Sequence, residues 1–319
     1  MHIILIATER SGQRIDNFLF SYLKGIPKNL IYRIIRTGKI LINQKKISIR
    51  YRLQTGDKLF IPDIQPVKPK RSAIFSASHL KKISILNDAI LYEDNYILAI
   101  NKPSGMAVHS GSKLNFGIIE ALRFIRPKEE FLELIHRLDR DTSGVLLLAK
   151  QRFSLLELHK QFLLRKIEKK YLALVCGQWC SSIKVISVPL FRNIFNRARP
   201  CLTYVDLNLG KFAKTKIFIQ ERFSVATLIM AIPITGRTHQ IRAHTQYMGH
   251  PIAFDALYGN SLFNKQLKQY GLNRLFLHAF ALKFIHPNSG RLINIKAPLD
   301  NVLHNFLCVL REGKGIFNN

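Results

Sequence analysis

Acidic residues are scarce in this chain: 20 Asp and Glu stand against 49 Lys and Arg in 319 residues, a formal charge of +29. So large an imbalance does not suit an ordinary metabolic enzyme and points to a polyanionic partner, nucleic acid above all. Heavy use of Ile, Lys and Asn together also fits an A/T-biased genome, so charge alone does not establish that partner. Cysteine is scarce too, and four in 319 residues cannot staple the chain. Cys176 and Cys180 stand as C-x3-C, but no second Cys or His pair follows at zinc-finger spacing. All four are expected as reduced thiols in a cytoplasmic protein. Long apolar runs are missing, since none approaches the ~20 residues of a membrane helix. The opening MHIILIATERSG has a short apolar run before Glu9 and Arg10, without the n- and h-regions of a signal peptide. No membrane partner is expected.

What is present suffices for a core: 47% of the residues are hydrophobic, and the length suits about two domains at ~150 residues each. Residues 12–75 read as a first, compact module. Ile15, Phe18, Leu19 and Leu23 fall at helical spacing; after Pro27, Leu30, Ile31, Ile34 and Ile35 mark a second helix that stops at Gly38. Short strands follow in KILINQKKIS and YRLQTGDKLFIP, with T-G-D as a turn. Residues 1–72 hold 15 Lys and Arg against 4 acids, a net of +11. Arg14, Lys28, Arg33, Arg36, Lys39 and Lys45 are the candidates for phosphate contact. A basic linker is expected at 76–87, continuing a stretch with Pro62, Pro66, Pro69, Lys68, Lys70 and Arg71.

Residues 88–310 read as a second, mixed domain. ILYEDNYILAINKPSG suggests a strand pair, LLELHKQFLLRK an amphipathic helix, YLALVCGQW and ATLIMAIPI strands, HQIRAHTQYMG a helix, and LFLHAFALKFIHP a late strand. The order is not a regular βαβ alternation. An α+β fold is expected, with a mixed, largely antiparallel sheet flanked by helices.

The densest polar cluster is His136-Arg137-Leu138-Asp139-Arg140-Asp141-Thr142-Ser143-Gly144, held between apolar LELI and VLLLA. On residue types alone it suits a metal site, a carboxylate held by a base, or a salt-bridged turn. The echo of the kinase H-R-D loop fails, because no Gly-rich phosphate loop, D-F-G or following Asn accompanies it.

Residues 12–75 resemble the S4 RNA-binding domain, through Arg14-Ile15-Asp16, Ile34-Ile35-Arg36-Thr37-Gly38, Ile40-Leu41-Ile42-Asn43 and Thr55-Gly56-Asp57. The second domain resembles the pseudouridine synthases of large-subunit ribosomal RNA and tRNA, whose signature is H-R-L-D-x-x-T-S-G. Four further motifs come in family order: Lys102-Pro103-Ser104-Gly105 to His109, Lys169 to Gly177, Thr235 to Arg242 and on to Tyr258-Gly259, and Leu277-His278-Ala279 to Gly290. Phe254 departs from the pattern, since Gly is more usual before Asp255.

The resemblance implies isomerisation of uridines in 23S rRNA, free or in a large-subunit assembly particle, by a monomer without cofactor or metal. It gives Asp139 the attack on the sugar or the removal of the C2′ proton, and Arg242 the guanidinium that keeps that carboxylate ionised. Tyr171 matches the residue that stacks on the base and takes part in moving the C5 proton. Arg237 and His239 are binding candidates, Lys102 and Thr142-Ser143 shape the loop, Arg140 and Asp141 are loop charges, and Trp179 packs. The competing readings are the same chemistry on tRNA or other uridines, and a non-catalytic S4-type assembly factor.

Overall fold

The computed structural model describes residues 2–23, 26, 28–64, 84–109, 117–192 and 202–312. The chain divides into two compact units, residues 1–80 and 81–319.

In the first unit, Ile15, Phe18 and Leu19 are buried along the helix Ile15–Tyr22. Ile31, Ile34 and Ile35 are buried along the helix Lys28–Arg36, so both apolar stripes meet one core. Gly38 ends the second helix in a left-handed conformation, φ +72°, with its N–H on Ile35 O. An antiparallel sheet of order β1-β4-β2-β3 covers the helices, formed by β1 (His2–Leu5), β2 (Leu41–Ile42), β3 (Lys45–Lys46) and β4 (Lys58–Ile61). Asn43 and Gln44 both take positive φ in the two-residue turn between β2 and β3, as a type I′ hairpin requires. Asp57 fixes the neighbouring turn, accepting from Asn43 Nδ2, Tyr51 Oη and the Gln54 N–H at 2.9–3.0 Å. Strand β1 was not announced by the sequence pattern, which opened the module at residue 12.

Most of the expected linker, through residue 83, lies outside the described residues. Its end, 84–87, is a helical turn with Leu86 buried rather than extended chain.

The second unit is built on a ten-stranded sheet, of order β10-β13-β14-β9-β15-β8-β6-β5 with β16 on β15 and β7 on β8. The strands are β5 (Ile90–Glu93), β6 (Ile97–Lys102), β7 (Glu133–Leu134), β8 (Ser143–Ala149), β9 (Glu168–Cys176), β10 (Val185–Ile186), β13 (Thr215–Arg222), β14 (Ala226–Pro233), β15 (Leu277–Ile285) and β16 (Leu292–Lys296). A separate hairpin pairs β11 (Leu190–Arg192) with β12 (Thr203–Val205). The sheet is mixed and mostly antiparallel, the parallel step being β15 beside β8. Every residue of β8 is buried, which is why SGVLLLA reads as a continuous apolar run rather than an alternating one. Helices cover the sheet: Leu303, Phe306, Leu307 and Leu310 of Asn301–Glu312 pack with Phe263 and Leu267 of Ser261–Lys268 in one apolar cluster. Trp179 is buried in another, its indole N–H on Ile183 O at 3.0 Å. Among the described residues no helix is long and apolar enough to cross a membrane.

Candidate active site

The polar cluster of the sequence forms the loop between β7 and β8 and, with Ser143 and Gly144, the start of β8. Lys102, at the end of β6, is fully buried beneath it. Its ammonium donates to three carbonyls, Pro103 O, Met106 O and Arg140 O, each at 2.9 Å. Burial, with Arg274 adding to it, pushes Lys102 down to about 7. The Gly105 N–H also reaches Arg140 O, and Ser104 Oγ donates to Asp141 O at 2.7 Å. The K-P-x-G turn therefore grips the backbone of the loop immediately after Asp139. Arg140 and Asp141 pair with each other on the exposed side, at 3.0 Å.

Asp139 opens onto a cleft of about 340 Å³ whose walls include Tyr171, Lys169, His136, His239 and Arg242. Tyr171 is supplied by β9, Arg242 by the helix Gln240–Tyr247 and His239 by the residue just before that helix. A strand and a helix far apart in sequence thus converge on the carboxylate of a third segment, the loop that carries Asp139. Arg242 Nη1 lies 3.4 Å and His239 Nε2 3.7 Å from Asp139, both on Oδ2. Burial, reinforced by the charge of Asp139, pushes the Tyr171 phenol well above its ordinary value, so it stays protonated. Burial takes Lys169 down to about 8 and His136 down to about 4.

The sequence paired Arg242 with Asp139, and the structure gives its two-pronged contact elsewhere. Nε and Nη2 of Arg242 meet the two oxygens of Asp255 at 2.6 and 2.7 Å, and Asp139 receives the remaining nitrogen. Asp255 is buried and also accepts the N–H groups of Leu257 and Tyr258. Sequence reasoning kept Asp255 as a motif residue without seeing it as the anchor; an acid beside buried Ile252 and Ala253 was the available signal. Phe254 takes a positive φ of 56° just before it, which accounts for the family's preference for Gly there.

The metal reading of the loop loses its ligands. His136 Nε2 accepts from the Leu147 N–H at 3.0 Å, and Asp141 faces Arg140. Among the described residues no group of three or more His, Cys, Asp or Glu is arranged to hold a metal ion.

The RNA-contact candidates separate by environment. Arg33, Arg36, Lys39 and Lys45 are exposed on the first unit. Arg14 instead pairs with buried Asp16, at 2.7 and 3.1 Å. Lys28 begins its helix, but its side chain lies outside what is described. Arg237 is exposed and donates to Phe212 O, and it lines the cleft together with half-buried His239.

The family model for RNA pseudouridylate synthase matches residues 96–247, and the S4 domain model matches residues 13–59. The chain is 51% identical over 314 residues to the ribosomal large subunit pseudouridine synthase C of Salmonella typhimurium, covering 98% of this chain and 97% of that one. It is 50% identical over 312 residues to the protein of the same name in Haemophilus influenzae, covering 98% and 96%. Among solved structures, human RNA pseudouridylate synthase domain containing 4 aligns with a TM-score of 0.60 at 26% identity, over 72% of this chain and 96% of that one.

Proposed function

The chain belongs to the RNA pseudouridine synthase family, and we propose that within it the protein isomerises particular uridines of 23S ribosomal RNA to pseudouridine. The reaction breaks the N1–C1′ bond, turns the base and joins C5 to C1′; the proton lost from C5 is matched by one gained at N1. Asp139 acts on the ribose, Arg242 holds that carboxylate in place, and Tyr171 stacks on the base as a neutral phenol. The observation that carries this reading is the convergence of these three side chains on one cleft from three separate elements. A carboxylate in such a cleft meets a uridine only after the base has left its stack, so the nucleotide is flipped in. The exposed basic residues of the S4 unit grip rRNA through phosphate and shape. Large-subunit rRNA as substrate is supported by the 51% identity over nearly the whole of both chains. Acting on rRNA, the protein would work in the cytoplasm, where ribosomes are built.

The test is pseudouridine mapping of 23S rRNA transcripts and of large-subunit assembly particles after incubation with the purified chain. New pseudouridines are expected with the native protein. With Asp139→Asn none is expected, while RNA affinity is kept, because that change removes charge and basicity without altering shape. A mutant that still isomerises at a comparable rate overturns the mechanism.

A further inference from the structure

We propose that His239 is a positioning residue for Asp139, itself oriented by Tyr258, and that His239 and Arg242 together leave Asp139 Oδ1 as the oxygen that meets the ribose. The inference deepens the reading above and rests on Asp139 being the reacting carboxylate.

His239 stands at the start of the helix Gln240–Tyr247 with φ 51° and ψ 23°, a left-handed backbone that is strained for a side-chain-bearing residue. Such strain persists only where the surroundings enforce it, and it gathers at working sites. Here the conformation carries the imidazole between two partners. Nδ1 lies 3.0 Å from Tyr258 Oη, and Nε2 lies 3.7 Å from Asp139 Oδ2.

The carboxylate facing Nε2 decides which nitrogen bears the proton, and the hydrogen bond to Tyr258 accommodates that choice. Tyr258 Oη accepts the Thr203 N–H at 2.8 Å and can still donate its own O–H toward the imidazole. His239 Nδ1 accepts it. A neutral ring then carries its hydrogen on Nε2, directed at Asp139, whereas the other tautomer would set a lone pair against a carboxylate. Burial holds His239 below its ordinary value against the pull of Asp139 and Asp255, with Arg242 and Arg192 lowering it further. Tyr258 is itself fixed: its ring stands edge-on to the imidazole at 82° and lies 5.0 Å from the Arg242 guanidinium.

Arg242 and His239 both approach Oδ2. Two donors on one oxygen orient the carboxylate about its Cβ–Cγ bond and commit the other oxygen to the nucleotide. Contacts of 3.4 and 3.7 Å are long for hydrogen bonds, and catalytic contacts of this kind tighten when substrate closes the site.

The experiment measures single-turnover rate and RNA affinity for His239→Asn, His239→Gln, Tyr258→Phe and the His239→Gln/Tyr258→Phe pair, beside Asp139→Asn. Asn tolerates the left-handed backbone but its amide stops at the position of Nδ1. Its rate should fall about 10- to 100-fold, the size of a lost hydrogen bond to a charged group, with Kd within about twofold. Gln places an N–H where Nε2 stood and should recover most of that rate. Tyr258→Phe should slow the native protein about 10-fold but add little in the Gln background, because an amide has no tautomer to fix. Equal losses for Asn and Gln, or losses in Kd instead of rate, overturn the proposal; the second result would make His239 a phosphate contact. An active Asp139→Asn protein defeats the underlying reading instead, while an inactive one beside unaffected His239 variants defeats this inference alone.

Discussion

Arg242 serves two carboxylates, and its division between them explains how a buried cation can be held in place. Asp255 takes two nitrogens in a planar fork and is itself anchored by backbone N–H groups, so the guanidinium cannot turn. The third nitrogen is left for Asp139. Arg242→Lys keeps the charge but lacks the fork, and a single ammonium cannot satisfy both carboxylates. The single-turnover rate should fall on the order of 100-fold, the worth of one or two charge-assisted hydrogen bonds. Unchanged turnover would move the anchoring role to another residue. Asp139, Tyr171 and Arg242 were legible in the sequence because each sits inside an ordered motif. The Asp255 anchor was not, since 13 residues and a helix-to-loop change separate it from Arg242, and no local periodicity joins them.

At the scale of elements, the parallel step between β15 and β8 explains the glycine that closes the signature. Gly144 has φ +108°, and a Cβ there would lie 2.3 Å from the Ala279 carbonyl oxygen. Both sterics and backbone conformation forbid a side chain. Gly144→Ala should lose about 3 kcal/mol or more, measured by urea unfolding, from strain and overpacking together. Glu93 of β5 ties three elements through Arg126, at 2.8 Å, and Lys150, at 2.7 Å. Its hydrogen bond to Arg126 holds it down to about 2 from an ordinary 4.5, with Lys150 assisting against burial. The folded state therefore gains from this carboxylate fully above about pH 4.5, and the gain fades as pH falls toward about 2. Glu93→Gln should lower Tm at pH 7, with the difference from native protein closing across that acid window. A difference independent of pH would assign the loss to packing. The helix Lys28–Arg36 was legible from Ile31, Ile34 and Ile35 at 3–4 spacing, whereas Asn301–Glu312, with Leu303, Phe306, Leu307 and Leu310 at the same spacing, was not read from the sequence. Strand β1 was not, because Ile3 and Leu5 are 63% and 66% exposed and its partner β4 lies far along the chain. Edge pairing of that kind leaves no local pattern to read.

For the whole molecule, the charge of +29 raises a question of use against origin. The structure separates the basic residues of the S4 unit by what they do. Arg14 spends its charge on Asp16, whereas Arg33, Arg36, Lys39 and Lys45 are exposed. If those four neutralise phosphates, replacing them together by Ala in the full chain removes up to four counterion-releasing contacts. The slope of log K against log salt for rRNA binding should then flatten by about 3, at 0.7–0.9 for each contact. Affinity at low salt should fall with it, while the single-turnover rate at saturating enzyme stays near the native value, because every side chain assigned to the chemistry belongs to the other unit. Arg14→Ala alone should change the slope little, its charge being already matched. A quadruple variant with native affinity and native slope would make these charges compositional and remove the S4 unit from the RNA-gripping role.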